Sequence, residues 1–539
     1  MNPTDVYARF PPVRDAVEEL TTTEAVRRLF ERDTSLWSDD SVVQDTIAAR
    51  LGWLDVAGGR AKWSGQVSAF AAGVRDDGID RIVLAGMGGS SLAPEVFATV
   101  FRDASRRRLI VLDSTHPRTV AERLPDEDLD STLVVVSSKS GTTTETLSFG
   151  LRAERIVPNT RHLAAITDAG SSLAQEATAR GWRTVFENPS DIGGRYSALS
   201  LFGMVPAALI GVDIDAIWQS GAAMASACDP AHTGTDNPAV ALGAFIGGLA
   251  REGRDKLTLL TSPSLASLAD WIEQLIAEST GKLGTGIIPV VREPVGPPDV
   301  YGDDRAFVFI EHVQDPVPGV ELLESAGLPV LNITLDDRHA LGGEFVRWEA
   351  ATALAGALLG INPFDEPNVA ESKRNTNDVL AEVAAGTPLP DPEDGDLRHL
   401  LDSVGPGDYV SIQSYLPPTD RVAEGLTEVR LIIRDNMRVA TTAGWGPRFL
   451  HSTGQLHKGG PNSIVALQLV DVPSKDDDIE IPGRDYTFGT LVRAQAMGDL
   501  RSLRAHDRRV IQRRVDGPED IVRLIGDLTA ILHKPIAGD

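Results

Sequence analysis

A single cysteine, Cys228, stands among 539 residues, so no disulfide can form within the chain, and a reducing compartment, the cytoplasm, is the expected location. Long apolar runs are also missing. The longest, around residues 350 to 361, is preceded closely by Glu344, Arg347 and Glu349; it is too short to span a bilayer and reads as a buried helix. The opening stretch holds Asp5, Asp15, Glu18 and Glu19 with no unbroken apolar core, so neither a secretory signal nor a membrane partner is expected. Positive charge is scarce: 51 Lys and Arg face 77 Asp and Glu, a formal net charge of −26. Such a surface repels phosphate backbones and excludes nucleic acid as an expected partner. It repels small phosphates as well, so any phosphate site has to be a local exception built from cations and backbone N–H donors.

What is present is ordinary globular material, 42% apolar and 24% charged. The length exceeds one ordinary core, which predicts two or three packed modules. Residues 1–75 read as a helical segment, with Val13, Val17, Leu20, Val26 and Leu29 at helical spacing. Short apolar, β-rich runs then alternate with helical patterns: Arg81–Ala85, Leu109–Leu112, Leu133–Val136, His162–Ile166 and Thr184–Phe186. Continuous apolar strands between helices predict a parallel sheet covered on both faces. A second series comprises Leu257–Leu260, Ile287–Val291, Phe307–Ile310, Val330–Leu335, Tyr409–Ser414 and Ile464–Val470, with a helix over Thr419–Met437. The expected division is a first module over 76–230, a second over 231–475 and a helical C-terminal segment over 476–539. Within the second module the Pro/Asp/Gly-rich stretch 386–407 reads as a connection inside its sheet. The fold class is α/β, two tandem doubly wound parallel-sheet modules with helical extensions at both ends.

Three segments carry chemistry. Gly86-Met87-Gly88-Gly89-Ser90-Ser91 lies between a strand and a helix, where glycines let backbone approach a ligand and helix N-terminal N–H groups favour an anion. A dinucleotide site is the rival there, although Ser91 stands where the fingerprint's third glycine belongs and Asp113 lies somewhat far along. The second segment, Ser137-Ser138-Lys139-Ser140-Gly141-Thr142-Thr143-Thr144-Glu145-Thr146, also follows an apolar strand, at the end where doubly wound sheets bind ligands. Its dense hydroxyls suit a phosphate monoester with its several acceptor oxygens. The plain alternative is a helix cap, which uses one hydroxyl. The third is Glu278, at the edge of the apolar stripe formed by Leu268, Trp271, Ile272, Leu275 and Ile276, one turn beyond Gln274. Partial desolvation there raises a carboxyl's pKa toward a value useful to a base, whereas a rim glutamate with its head in water is the plain alternative.

Together these segments resemble the sugar isomerase (SIS) fold and, within it, the glucose-6-phosphate isomerase family, most closely the isomerase half of fused transaldolase/glucose-6-phosphate isomerase proteins. The likeness runs from about residue 50 to near the C-terminus. It rests on Asp191-Ile192-Gly193-Gly194-Arg195-Tyr196-Ser197, on Glu278-Ser279-Thr280-Gly281-Lys282, on Phe364-Asp365-Glu366-Pro367-Asn368-Val369-Ala370-Glu371-Ser372-Lys373, and on His451-Ser452-Thr453-Gly454-Gln455-Leu456-His457. The resemblance implies a glycolytic and gluconeogenic enzyme that interconverts glucose 6-phosphate and fructose 6-phosphate through a cis-enediol(ate). It further implies that Glu278 moves the proton between C1 and C2, that Arg195 faces the enediolate oxygens, and that His451 and Lys373 open the sugar ring. By the same resemblance Gly89, Ser90, Ser138, Lys139, Ser140, Thr143 and Gln274 hold the substrate phosphate and Glu145 supports the site. It implies no metal, no organic cofactor and a homodimer whose histidine crosses between subunits.

Two departures stand out. His451 follows Lys373 in the chain, whereas family members place the histidine segment first, so His451 acts either in its own subunit or in the neighbour. Glu366 occupies a position where the family's usual glutamine contacts phosphate, and it is left outside the expected site. The residue types fit the reaction. A fixed carboxylate general base contributes roughly 10²–10⁴ in rate, a guanidinium aimed at the developing oxyanion about 3–4 kcal/mol, and histidine shuttles protons near neutral pH. Two other readings remain: the same chemistry on both glucose and mannose 6-phosphates, and a non-catalytic sugar-phosphate-binding protein on the same fold.

Overall fold

The computed structural model describes residues 3–105, 107–127 and 129–532; residues 1, 2 and 533–539, which belong to the expected helical extensions, lie outside the described residues. Strand β1 (Arg81–Gly86), β2 (Arg108–Leu112), β3 (Thr132–Ser137), β4 (Leu163–Asp168) and β5 (Thr184–Asn188) form a five-stranded parallel sheet in the order β2-β1-β3-β4-β5. Every residue of β3 is buried, which is why it reads as an unbroken apolar run. A second, four-stranded parallel sheet, β7-β6-β8-β9, contains β6 (Lys256–Thr261), β7 (Ile288–Val290), β8 (Arg305–His312) and β9 (Val330–Leu335). These are the two tandem doubly wound sheets expected from the sequence.

A third sheet follows. It runs β11-β10-β12-β13 and consists of β10 (Tyr409–Tyr415), β11 (Ala440–Trp445), β12 (Ile464–Val470) and β13 (Arg509–Arg514), again all parallel. The stretch 386–407 therefore joins two separate hydrogen-bonded sheets and is not a connection inside one. The edge strands β7 and β11 adjoin, with Ile288, Val290 and Ala440 in one apolar cluster. The expected helical C-terminal segment also contains a strand, β13, between the helices Phe488–Ala505 and Pro518–Leu532.

In all three sheets the second strand in the chain flanks the first, and the third and fourth extend the other side. The direction of winding reverses between the first and third strands of each sheet, the crevice where such folds bind ligands. The first two sheets share one core, in which Leu84 and Leu133 from the first and Leu259 and Val308 from the second are fully or almost fully buried. Helices Pro238–Arg251 and Leu341–Leu358 pack closely in that core, the latter holding the apolar run expected to be a buried helix. On the opposite face of the first sheet, Val134 and Val136 pack with Val379, Phe488 and Leu491. Phe149 stacks on Phe488 with ring centroids 5.8 Å apart. Burying such side chains contributes about 1.5–3 kcal/mol each, so the helix Phe488–Ala505, which also packs on β10, β12 and β13, clamps the third sheet onto the first. Among the described residues no helix is long and apolar enough to cross a membrane.

Candidate active site

The loops after β1 and β3 meet at the first sheet's crevice. After β3, Thr143 stands at the N-cap of the helix Thr144–Ile156, yet its side chain makes no capping bond. Ser138 Oγ donates to Thr143 Oγ1 at 3.1 Å, and Ser140 Oγ and Thr142 Oγ1 lie 2.9 Å apart. The hydroxyls are thus not consumed by the cap, and they stand at a helix start where backbone N–H groups favour an anion. Lys139 is differently placed from the phosphate-facing lysine expected. Its Nζ pairs with the Asp168 carboxylate at the end of neighbouring β4 and donates to the Ser190 carbonyl at 2.9 Å. Ser140 is exposed, whereas Ser90 and Ser138 are buried.

The glycines after β1 serve close packing. A Cβ on Gly89 would stand 2.1 Å from the carbonyl oxygen of Gly194, so only glycine lets the Arg195 loop lie against this turn. Gly88 has φ +53°, and a Cβ there would meet the His451 carbonyl at 2.5 Å. Gly89→Ala is expected to destabilise the fold by roughly 1–3 kcal/mol through overpacking, and to lower kcat by displacing Arg195. Thermal melts and steady-state kinetics check both effects.

Arg195 is 2% exposed, and its guanidinium is nearly saturated. Nε donates to Ser279 Oγ at 2.8 Å, and Nη2 to the carbonyls of Pro363 and Asp365 at 2.7 and 3.0 Å. Nη1 donates to Glu366 Oε2 at 3.1 Å and lies 3.3 Å from Glu278 Oε1. Glu278 is 8% exposed, so it is no rim glutamate. Burial lifts its pKa above the ordinary carboxyl value, with Arg195 opposing in part and the Glu366 charge adding to the rise. Its other oxygen accepts from Gln274 Nε2 at 3.0 Å. Gln274 Nε2 also donates to the His451 carbonyl at 2.8 Å.

His451 ends a short 3₁₀ turn, Arg448–His451, that follows β11. Its Nε2 lies 2.8 Å from Glu145 Oε1, in the same chain. Burial works to raise the Glu145 pKa, but the imidazole beside it and Lys373 hold it below the ordinary value. Gln495 Nε2 donates to the same Glu145 oxygen at 2.6 Å, and Thr115 Oγ1 donates to Gln495 Oε1 at 2.6 Å. Arg448 anchors the turn on the first sheet's side through Asp113, at 2.9 Å, and through Glu95. Gln455 Nε2 reaches the Gly281 carbonyl at 2.9 Å, past the end of the Glu278 helix. An unbroken series of contacts therefore links the hydroxyl loop to Glu145, His451, Gln274, Glu278 and Arg195. Lys373 is exposed on the helix Val369–Ala384 and lines a narrow pocket with Glu145, His451 and Gln495. A larger cavity, of about 320 Å³, opens behind the His451 turn between Glu95, Asp113, Glu273, Arg292 and Arg448.

Partners in this site that were not expected from the sequence include Ser279, Glu366, Gln455 and Gln495. Ser279 and Gln455 fall inside recognised motifs, which is the signal that points to them. Gln495 sits in an ordinary helical pattern and is brought in only by the docking of the third sheet. His457 is buried against Gln413, 3.3 Å away, and burial drives its pKa far below the usual histidine value.

Doubly wound sheets with a hydroxyl loop at a winding reversal, and a buried carboxylate sharing a guanidinium beside it, place the chain in the sugar isomerase class. Residues 60–293 match the phosphoglucose isomerase family. The chain is 30% identical over 369 residues to a glucose-6-phosphate isomerase of Rubrobacter xylanophilus, covering 56% of this chain and 83% of that protein. It is 31% identical over 395 residues to one of Symbiobacterium thermophilum, covering 62% and 87%. A solved glucose-6-phosphate isomerase from Chlamydia trachomatis shares the fold, with a TM-score of 0.51, 19% identity and coverage of 66% of this chain and 78% of that one. The chain belongs to the glucose-6-phosphate isomerase family.

Proposed function

We propose that this chain isomerises glucose 6-phosphate and fructose 6-phosphate with Glu278 as the single base that carries the proton between C1 and C2. The overall reaction is that of the family, an aldose–ketose isomerisation serving glycolysis and gluconeogenesis. The observation that carries the residue assignment is the buried Glu278 carboxylate 3.3 Å from Arg195 and joined through Gln274 to the His451 backbone.

Removing a proton next to a carbonyl leaves negative charge on the two oxygens of an enediol(ate). The Arg195 guanidinium, already held by carbonyls and a serine, needs no reorganisation to face that charge. Burial keeps Glu278 proton-avid, which suits a base that must take a weakly acidic C–H proton. The Glu145 carboxylate orients the His451 imidazole for ring opening, and Lys373 stands beside the pair. Ser90, Ser138 and Thr143, with the helix start, hold the phosphate, whose binding energy aligns C1 and C2 with the base. Lys139 supports this loop through Asp168. A coupled assay of fructose 6-phosphate conversion in EDTA is expected to show turnover; no turnover would exclude the reading. A cytoplasmic location accords with the single, buried Cys228.

We also place His451 in the site of its own chain, so that a homodimer of the family kind forms without exchanging the histidine. Co-expressing Glu278→Gln with His451→Asn is then expected to yield no more activity than either variant alone. Recovery of a substantial fraction of wild-type turnover in the mixed dimer would assign His451 to the neighbouring subunit.

A further inference from the structure

Three acceptors from one short stretch surround Arg195: the carbonyls of Pro363 and Asp365 on Nη2, and the Glu366 carboxylate on Nη1. Lys282 pins this stretch to the end of the Glu278 helix, donating to the Asp365 carbonyl at 2.6 Å and to Asp365 Oδ1 at 2.7 Å. Asn368 N ties the following residues to Gln455 Oε1 at 2.8 Å, next to the His451 turn. Of the five guanidinium N–H donors, Nε, both on Nη2 and one on Nη1 are thereby committed. Glu278 lies 3.3 Å from Nη1 but outside hydrogen-bonding alignment, whereas Glu366 at 3.1 Å is aligned.

We propose that Glu366 is a positioning residue for the isomerisation: its aligned bond to Nη1 helps fix the Arg195 guanidinium in an orientation whose remaining N–H is not aligned with Glu278, 3.3 Å away, so that Glu278 is left able to take the substrate proton. This rests on the reading of Glu278 as the base. A carboxylate locked in a bidentate bond to arginine is a poor base, because the charge-assisted bond stabilises its ionised form. A second carboxylate on the same nitrogen prevents that lock in two ways. Its bond fixes the guanidinium's orientation, and its charge offsets part of the arginine's. The titratable and charged groups facing Glu278 include Arg195, Glu366, Lys282 and Tyr196; those facing Glu366 include Arg195, Arg50, Lys282 and Glu278. Glu366 is the negative member of this set that Glu278 meets across the guanidinium, and its charge works to keep the base protonated to higher pH.

The sign follows. Replacing Glu366 by glutamine removes a negative charge and exchanges the charge-assisted Nη1 bond for a weaker amide one, so the guanidinium is held less firmly, the Glu278 pKa falls and the acid limb of the kcat/KM profile moves to lower pH. Expected for Glu366→Gln is a fall in kcat of roughly 10- to 100-fold from misplacement of the reacting groups, a shifted acid limb and little change in KM. Glu366→Asp, which keeps the charge, is expected to restore the acid limb toward that of the wild type. Thermal melts of both variants establish that they are folded, and the aspartate variant carries the test should the glutamine variant not fold. A change in KM alone, or a fall in kcat with the acid limb unmoved, overturns the proposal. Glu278→Gln is measured in parallel. If it turns over normally the base assignment itself fails, whereas an inactive Glu278→Gln beside a Glu366→Gln that titrates like wild type removes only the role of Glu366.

Discussion

Replacing Glu278 by glutamine is expected to lower kcat by at least roughly 10²–10⁴, the contribution of a positioned general base, while KM and competition by inorganic phosphate change little. The substitution is isosteric. A glutamine carbonyl oxygen can still accept the Gln274 bond now made at 3.0 Å to Glu278 Oε2, so the helix Ala266–Thr280 keeps its contacts. Folding stability is expected to hold as well, because the neutral amide avoids burying a charge at this 8% exposed position. Loss of rate with retention of fold and phosphate affinity separates a catalytic group from a structural one. Steady-state kinetics with phosphate inhibition and a thermal melt read all three.

Arg195→Ala is expected to act on rate and stability together. Loss of the oxyanion-facing donor is worth about 3–4 kcal/mol in the chemical step. Removing the cation leaves the buried Glu278 carboxylate without its ion-pair partner and facing the part-exposed Glu366, which costs roughly 3–5 kcal/mol of folding stability. It also strands Ser279 Oγ and the Pro363 and Asp365 carbonyls, now bonded at 2.7–3.0 Å. Without the guanidinium both carboxyls titrate above their unfolded values. A group whose folded pKa is raised stabilises the fold below its unfolded pKa and loses that contribution as pH rises through the folded value. The alanine variant is therefore expected to melt higher at mildly acidic than at mildly alkaline pH, and the wild type, whose cation offsets these charges, to show a smaller difference. A variant that only raises KM, with kcat intact, would make Arg195 a substrate-binding residue.

The parts legible in the sequence are those where local pattern and burial coincide. β3 and β12 are wholly buried and almost wholly apolar, β12 being interrupted only by Gln468, so the apolar runs alone find them. β11 reads Ala-Thr-Thr-Ala-Gly-Trp, too small and polar to announce a strand, and it is held as an edge by pairing with β10. β13 reads Arg-Val-Ile-Gln-Arg-Arg; at the sheet's other edge it is half exposed and tolerates the charges that make it resemble helix surface. Missing those two strands turned a third sheet into a continuation of the second.

The site followed the same rule. Arg195, Glu278 and the hydroxyl loop were legible because each lies in a specific motif. The deep burial of Glu278 was not, because it depends on the His451 segment arriving from far along the chain. The partner of Lys139 was hidden for a related reason: Asp168 ends β4, and only the pairing of β3 with β4 brings the two loops side by side. Glu366 stands outside the expected site because nothing in the sequence shows that Arg195, 171 residues earlier, pairs with its carboxylate.

The most direct measurement of the central claim is deuterium transfer in D₂O. Fructose 6-phosphate and the protein are incubated with EDTA, and the glucose 6-phosphate formed is read by NMR at C2. The wild type is expected to convert substrate with deuterium entering at C2, and Glu278→Gln neither to convert nor to label. Any label measures how far the proton held on Glu278 exchanges with solvent before its return; a Glu278→Gln variant that labels and converts at the wild-type rate would contradict proton transfer by this carboxylate.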